Sequence, residues 1–352
     1  MRGMPSEARF RVCRRQAIAA VGIFYVEYRY NVYTFTSQTE TSRKKPYMII
    51  RPVRRFQILY ILQGSFFSKL WKPLLALFVF STVVAYYQSH LLKYHIPLNT
   101  SVFTLLGIAL AIFHGFCNAS AYDRFWEGRK QWGNLLHVSR SFCRKILTLP
   151  NVPDAVRTEM LALSITFAHC LRHQLRRESP QKDICRTAPE KWKNRLLASD
   201  YPAMTCCQIL GEYNAALLSD GIIDTICWHA FEDTFAKMSE IQAACERINN
   251  TPIPFAYFVL MHRTVHGYCF LLPFGLVNAI GWVTPFMATF VGYTFMCLNE
   301  IVDEIGEPFG KNENDLSLTQ ICQTIETQLC TLSGLTLPPS SETARPSPCI
   351  VQ

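Results

Sequence analysis

Ile108, Ile112 and Phe116 recur every fourth residue in LLGIALAIFHGF (105–116), a spacing that stacks side chains on one face of a helix. The chemistry open to such a ridge is control over water. Gly107, Ala111 and Gly115, each one residue earlier, form a parallel stripe of small residues. In a bilayer, small residues at this spacing let helices approach closely, because lipid tails supply no hydrophobic force to drive helices together. If copies of the helix surround an axis, the ridge becomes three stacked apolar rings, a constriction that gates ions by dewetting. The same stripes also suit the ordinary core of a helical bundle.

Other chemistry-bearing residues are scattered. Glu300, Asp303, Glu304 and Glu307 cluster in EIVDEIGEPFG (300–310), a group able to attract cations or bind calcium, or to form a solvated helix end. The pairs His169/His173 and His262/His266 have zinc-ligand spacing but lack the Glu of HExxH and a third ligand, so no metal site is assigned. The fourteen cysteines include no CxxC pair and read as reduced, small hydrophobes. Glycine-rich phosphate loops, GxSxG elbows and paired catalytic carboxylates are absent from the sequence, which argues against an enzyme and requires no cofactor.

These residues need elements to hold them. With 49% hydrophobic and 17% charged residues, the chain falls between a soluble protein and a fully embedded one. Apolar runs at 70–88, 98–119, 256–280 and 284–299 each suffice to cross a bilayer core of about 30 Å. Polar residues fleck them, among them Lys72, His114 and His262, which suits helices that touch one another or water. Residues 1–55 hold twelve Lys or Arg and three Glu, the whole of the formal +9. The remainder is balanced, which excludes a nucleic-acid-tracking surface. Basic residues ahead of the first span favour a cytoplasmic amino terminus, and four spans return the carboxyl terminus to the same side.

The chain divides into a basic extension (1–47), read as an amphipathic arm or untranslated sequence, then an amphipathic lead-in with the first hairpin (48–119). A helical cytoplasmic domain (120–250), a second hairpin (251–300), an acidic helical region (301–332) and a disordered tail (333–352) follow. Nothing breaks the helix from Leu105 to Glu127, so one helix of about 30 residues passes from membrane to cytoplasm. Its exit carries Asp123, Arg124, Glu127 and Arg129, available to pair with neighbouring helices. Helical patterns follow at 155–177, 204–218 and 222–249, with turn-rich sequence at 178–193. In the last pattern Ile222, Ile226, Phe231, Phe235, Met238 and Ile241 share a face. The final residues, Cys349 to Gln352, match the prenylation pattern, a short motif easily met by chance.

MIIRP (48–52), the 105–133 segment, TPIPFAYFVLMHRTV (251–265), LLPFGLV (271–277) and TPFMATFVGYTFMCLNEIVDEIGEPFG (284–310) together resemble the bestrophin family, especially its bacterial and plastid branch. The likeness runs from Met48 to Leu332. It implies an all-α, homopentameric ion channel with one central pore, four membrane helices per subunit and a large helical cytoplasmic portion. It puts the pore neck at Ile108, Ile112 and Phe116 and a cytoplasmic aperture at Ile226. Animal members clasp calcium with consecutive aspartates after PFG, whereas here the run is Lys311, Asn312, Glu313, Asn314, Asp315, a depleted clasp that speaks against calcium regulation. The expected partners are chloride or other monovalent ions, lipid and further copies of the chain. The expected location is a bacterial inner membrane or, alternatively, an organellar one. Asp123, Glu127 and the acidic cluster bias toward cations, Arg124, Arg129 and helix amino termini toward anions. A non-conducting membrane scaffold is the competing reading.

Overall fold

The computed structural model describes residues 66–90, 100–312 and 314–339, and every secondary-structure element among them is helical. The extension and most of the lead-in (1–65), the first hairpin loop with Lys93, Glu313, and the tail from 340 with Cys349 lie outside the described residues.

Two apolar helices come first, α1 (Phe67–His90) and α2 (Thr100–Leu147). At 1.5 Å per residue, the 48 residues of α2 give a rod of about 72 Å. This exceeds the length expected from sequence. The polar stretch after Glu127 does not end the helix, because Trp132, Leu135, Phe142 and Ile146 keep a buried face going. The expected boundary between 119 and 120 therefore falls inside one helix.

Later in the chain, α8 (Phe255–Ile280) and α9 (Thr284–Gly306) form a hairpin. A single 3-10 turn, Gly281–Val283, joins them, and Gly281 takes the φ of +54° that favours glycine. Three stretches, Lys69–Gln88, Ser101–Leu147 and Phe255–Gly306, are long and apolar enough to cross a membrane, and the third holds both hairpin helices. These give the four membrane helices. In this bundle α9 touches α1, α2 and α8. The close approaches are made at Gly275 and Gly292. A Cβ on Gly275 would lie 2.5 Å from the Phe103 ring, and one on Gly292 2.5 Å from Leu77.

Between the hairpins come α3 (Asp154–Leu175), α4 (Gln181–Thr187), α5 (Glu190–Leu197), α6 (Pro202–Ser219) and α7 (Thr225–Asn250). After them and α9, α10 (Leu318–Ser333) returns to pack on α2 and α3. The segment expected to be turns at 178–193 in fact carries α4 and the start of α5. Pro180 and Pro189 sit at their amino-terminal boundaries, where a missing N–H removes nothing the helix needs. The lower half of α2, α3, α6, α7 and α10 enclose one continuous core that includes Trp132, Phe142, Phe167, Phe231 and Met238.

A buried charge network ties α3, α4 and α10. Asp183 accepts from Arg172 at 2.8 Å and from Arg186 at 3.1 Å, and lies 2.9 Å from His173 Nε2. Glu326 accepts from Arg186 at 2.8 Å and lies 3.0 Å from His169 Nε2. Burial opposes both carboxylates, yet hydrogen bonds from the histidines and, at Glu326, Arg186 outweigh it. They hold Asp183 well below the carboxylate range and Glu326 down to about 2. For His169, burial disfavours the charge, but hydrogen bonds to Asp183 and Glu326 raise its pKa overall. The His169/His173 spacing thus serves a structural ion network.

Candidate functional site: the uncovered face of α2

The buried stripe of α2 runs through Phe103, Leu110, His114, Cys117 and Ala121. The ridge lies on the other side of the helix: Ile108 is 54% exposed, Ile112 57% and Phe116 70%. Large apolar side chains left uncovered on a helix need another apolar phase, whether lipid or further copies of the chain. In a closed ring of copies facing one axis, they would form three apolar constrictions one turn apart.

The small stripe divides. Gly107 faces Tyr268 of α8, whose hydroxyl would lie 2.9 Å from a Cβ there. Ala111 is exposed, and a Cβ on Gly115 would meet nothing within 4 Å. Only Gly107 serves packing within the subunit, and the other two leave room for a neighbour.

Ile226 begins α7 two residues after Asp224, whose side chain accepts from the Cys227 amide at 2.7 Å and caps the helix. Phe231, Phe235, Met238 and Ile241 from the same apolar pattern are buried, but Ile226 is 79% exposed. It leaves the core its neighbours join. Among the described residues, neither Ile226 nor any ridge residue belongs to a buried core cluster.

Just below the ridge, Arg124 reaches the carbonyl ends of two helices. Its guanidinium donates to Gly306 O at 3.0 Å and Ile248 O at 2.7 Å, and also to Thr251 O. Those carbonyls lie at the carboxyl ends of α9 and α7, where helix dipoles favour a cation. Arg124 therefore locks the membrane hairpin to the extramembrane bundle. The sequence offered it as an ion-pair partner or a bias toward anions, not as a helix cap. Behind the ridge His114 is buried, with Nδ1 3.0 Å from Leu110 O and Nε2 2.6 Å from Asn299 Oδ1. Asn299 Nδ2 has no partner among the described residues. Turning the amide over would let Nδ2 donate to Nε2 of a neutral imidazole, which satisfies both groups.

The acidic cluster is dispersed rather than convergent. Glu300 and Glu304 each lie 3.9 Å from Lys69, and Asp303 lies 3.0 Å from His262 Nε2. Glu304 accepts from the Asn314 amide at 3.3 Å, while Asp315 accepts from the Asn312 amide at 2.6 Å. Glu307 is exposed beyond the end of α9. Burial, aided by Glu304 and Glu307, pushes the Asp315 carboxyl up to about 6 against the Asn312 hydrogen bond. Among the described residues no group of three or more His, Cys, Asp or Glu is arranged to hold a metal ion. Glu300, Asp303 and Glu304 belong to α9 itself, so the boundary between 300 and 301 falls inside a helix.

Residues 47–331 match the sequence profile of the bacterial and fungal bestrophin proteins. The chain belongs to that family. Similar proteins include one from Ralstonia nicotianae named voltage-dependent anion channel-forming protein RSc3414. It is 40% identical over 290 residues, which span 82% of this chain and 95% of the relative. Another is YneE of Escherichia coli, with the same channel designation, 38% identical over 80% of this chain and 93% of that protein. A crystal structure of a bacterial bestrophin homologue from Klebsiella pneumoniae superposes with a TM-score of 0.72 at 33% identity, covering 75% of this chain and 98% of that one. This bestrophin is a membrane protein of an ion-channel family, and the match confirms the likeness read from its motifs.

Proposed function

We propose that this bestrophin forms a homopentameric anion channel, conducting chloride and other small monovalent anions through a central pore. The neck is formed by Ile108, Ile112 and Phe116, and Ile226 forms a second restriction where the pore leaves the extramembrane domain. The exposure of the whole ridge on a helix packed along its opposite face carries this reading. The anion-channel names of relatives at 40% and 38% identity support the choice of ion. Ala111 and Gly115 serve contact between subunits. The basic residues ahead of α1 put both termini in the cytoplasm, and the host is a bacterial inner membrane. Separate engagement of Glu300, Asp303, Glu304 and Asp315 with Lys69, His262 and backbone amides supports a reading without calcium regulation.

Exposed acidic groups below the neck keep a cation-selective variant as a second reading. Purified protein in liposomes, loaded with chloride or with potassium and a valinomycin control, distinguishes these. Chloride flux supports the anion channel, potassium flux alone supports the cation variant, and no flux in either direction leaves a scaffold.

A further inference from the structure

The line of the neck continues below Phe116. Phe116, Asp123, Lys130 and His137 follow at seven-residue intervals on one uninterrupted helix, and a seven-residue step returns a side chain to within about 20° of its starting direction. All four are exposed, and at 1.5 Å per residue each stands about 10 Å beyond the last. Whatever axis Phe116 faces, Asp123 and Lys130 face it too.

Most charges in this segment are already committed. Arg124 is spent on the carbonyls of α7 and α9. Glu127 accepts from Gln131 at 2.7 Å and stands 3.9 Å from Lys130. Arg129 lies over the Trp126 ring at 5.4 Å from its centroid. Asp123 makes no ion pair with another described residue. Of the four charges the sequence left open, it alone both lies on the ridge line and has no ion pair among the described residues.

We infer that Asp123 restrains the anion preference of this channel: a ring of carboxylates two turns below the neck opposes anions, and Lys130 beyond it acts in the opposite sense. This rests on the pore reading above. A ring of like charges in a conduit with low-dielectric walls focuses its field along the axis. Asp123 acts more strongly because it is nearer the constriction and Lys130 is partly offset by Glu127.

The test is the reversal potential of purified channels in planar bilayers under a KCl gradient. D123N is expected to raise the chloride-to-potassium permeability ratio at least about threefold, the scale of removing several screened charges near the path. D123E should keep the wild-type value, and K130Q should lower the ratio by a smaller factor. If D123N conducts with an unaltered reversal potential, the inference fails while the pore reading stands. If D123N shifts toward cations, the inference fails as well. Wild-type protein that carries no current would remove the pore itself, a failure distinct from the other two.

Discussion

The two bundles of this protein solve opposite problems with one helix in common. Around the lower half of α2, apolar side chains turn inward to a single core and charges are either solvated or, as at Asp183, buried in a hydrogen-bonded network. Around the upper half the interior is divided among small clusters such as Leu70, Leu74, Leu110 and Met296. There the large apolar residues Leu75, Val79, Phe286 and Phe290 face outward. A bundle in lipid gains nothing by hiding its greasy residues, so close backbone contact at Gly275 and Gly292 replaces burial as the organising force. On the proposed pore reading, the uncovered ridge of α2 is the apolar face turned from lipid toward the axis.

The largest expected contrast comes from truncating one phenylalanine in each bundle. Phe142 is fully buried, with ring centroids 5.8 Å from Phe231 and 5.6 Å from Phe235. Phe142→Ala should destabilise the protein by about 3–5 kcal/mol, read by denaturation in detergent micelles. Phe290, 66% exposed, should change by less than about 0.5 kcal/mol as alanine. Equal losses would break the distinction between the bundles.

A smaller effect is confined to the extramembrane bundle and depends on pH. Asp183 and Glu326 have depressed pKa values when folded, the latter to about 2. Their stabilisation is present above the ordinary carboxylate value of about 4 and lost as pH falls below it. His169 has a raised pKa, so its contribution is present below about 6.5 and lost as pH rises through its elevated folded value. The melting temperature should therefore be highest between about pH 4.5 and 6.5. E326Q should flatten the acid limb of that profile, and an E326Q profile identical to wild type would remove the network from the account.

Much of this architecture is written locally. The ridge at Ile108, Ile112 and Phe116 was legible because its period belongs to one helix, and the buried faces of α3, α6 and α7 emerged close to their expected limits for the same reason. What eluded the sequence depends on distant partners. Gly275 and Gly292 are single glycines in apolar runs, and only the arrival of Phe103 and Leu77 from other helices gives them meaning. Arg124 read as an ion-pairing residue because nothing in a sequence announces where two helix ends will converge. His169 and His173 had zinc-ligand spacing but no assigned metal, and their actual partners, Asp183 and Glu326, come from α4 and α10.

The central claim is that the uncovered ridge of α2 is the narrowest part of an ion path. Single-channel conductance of the triple variant I108A/I112A/F116A in planar bilayers tests it most directly. The account predicts a larger unitary current than wild type, with the oligomer unchanged in size, because removing three bulky rings widens and wets the neck. A unitary current equal to that of wild type would place the ridge outside the path of the ions and contradict it.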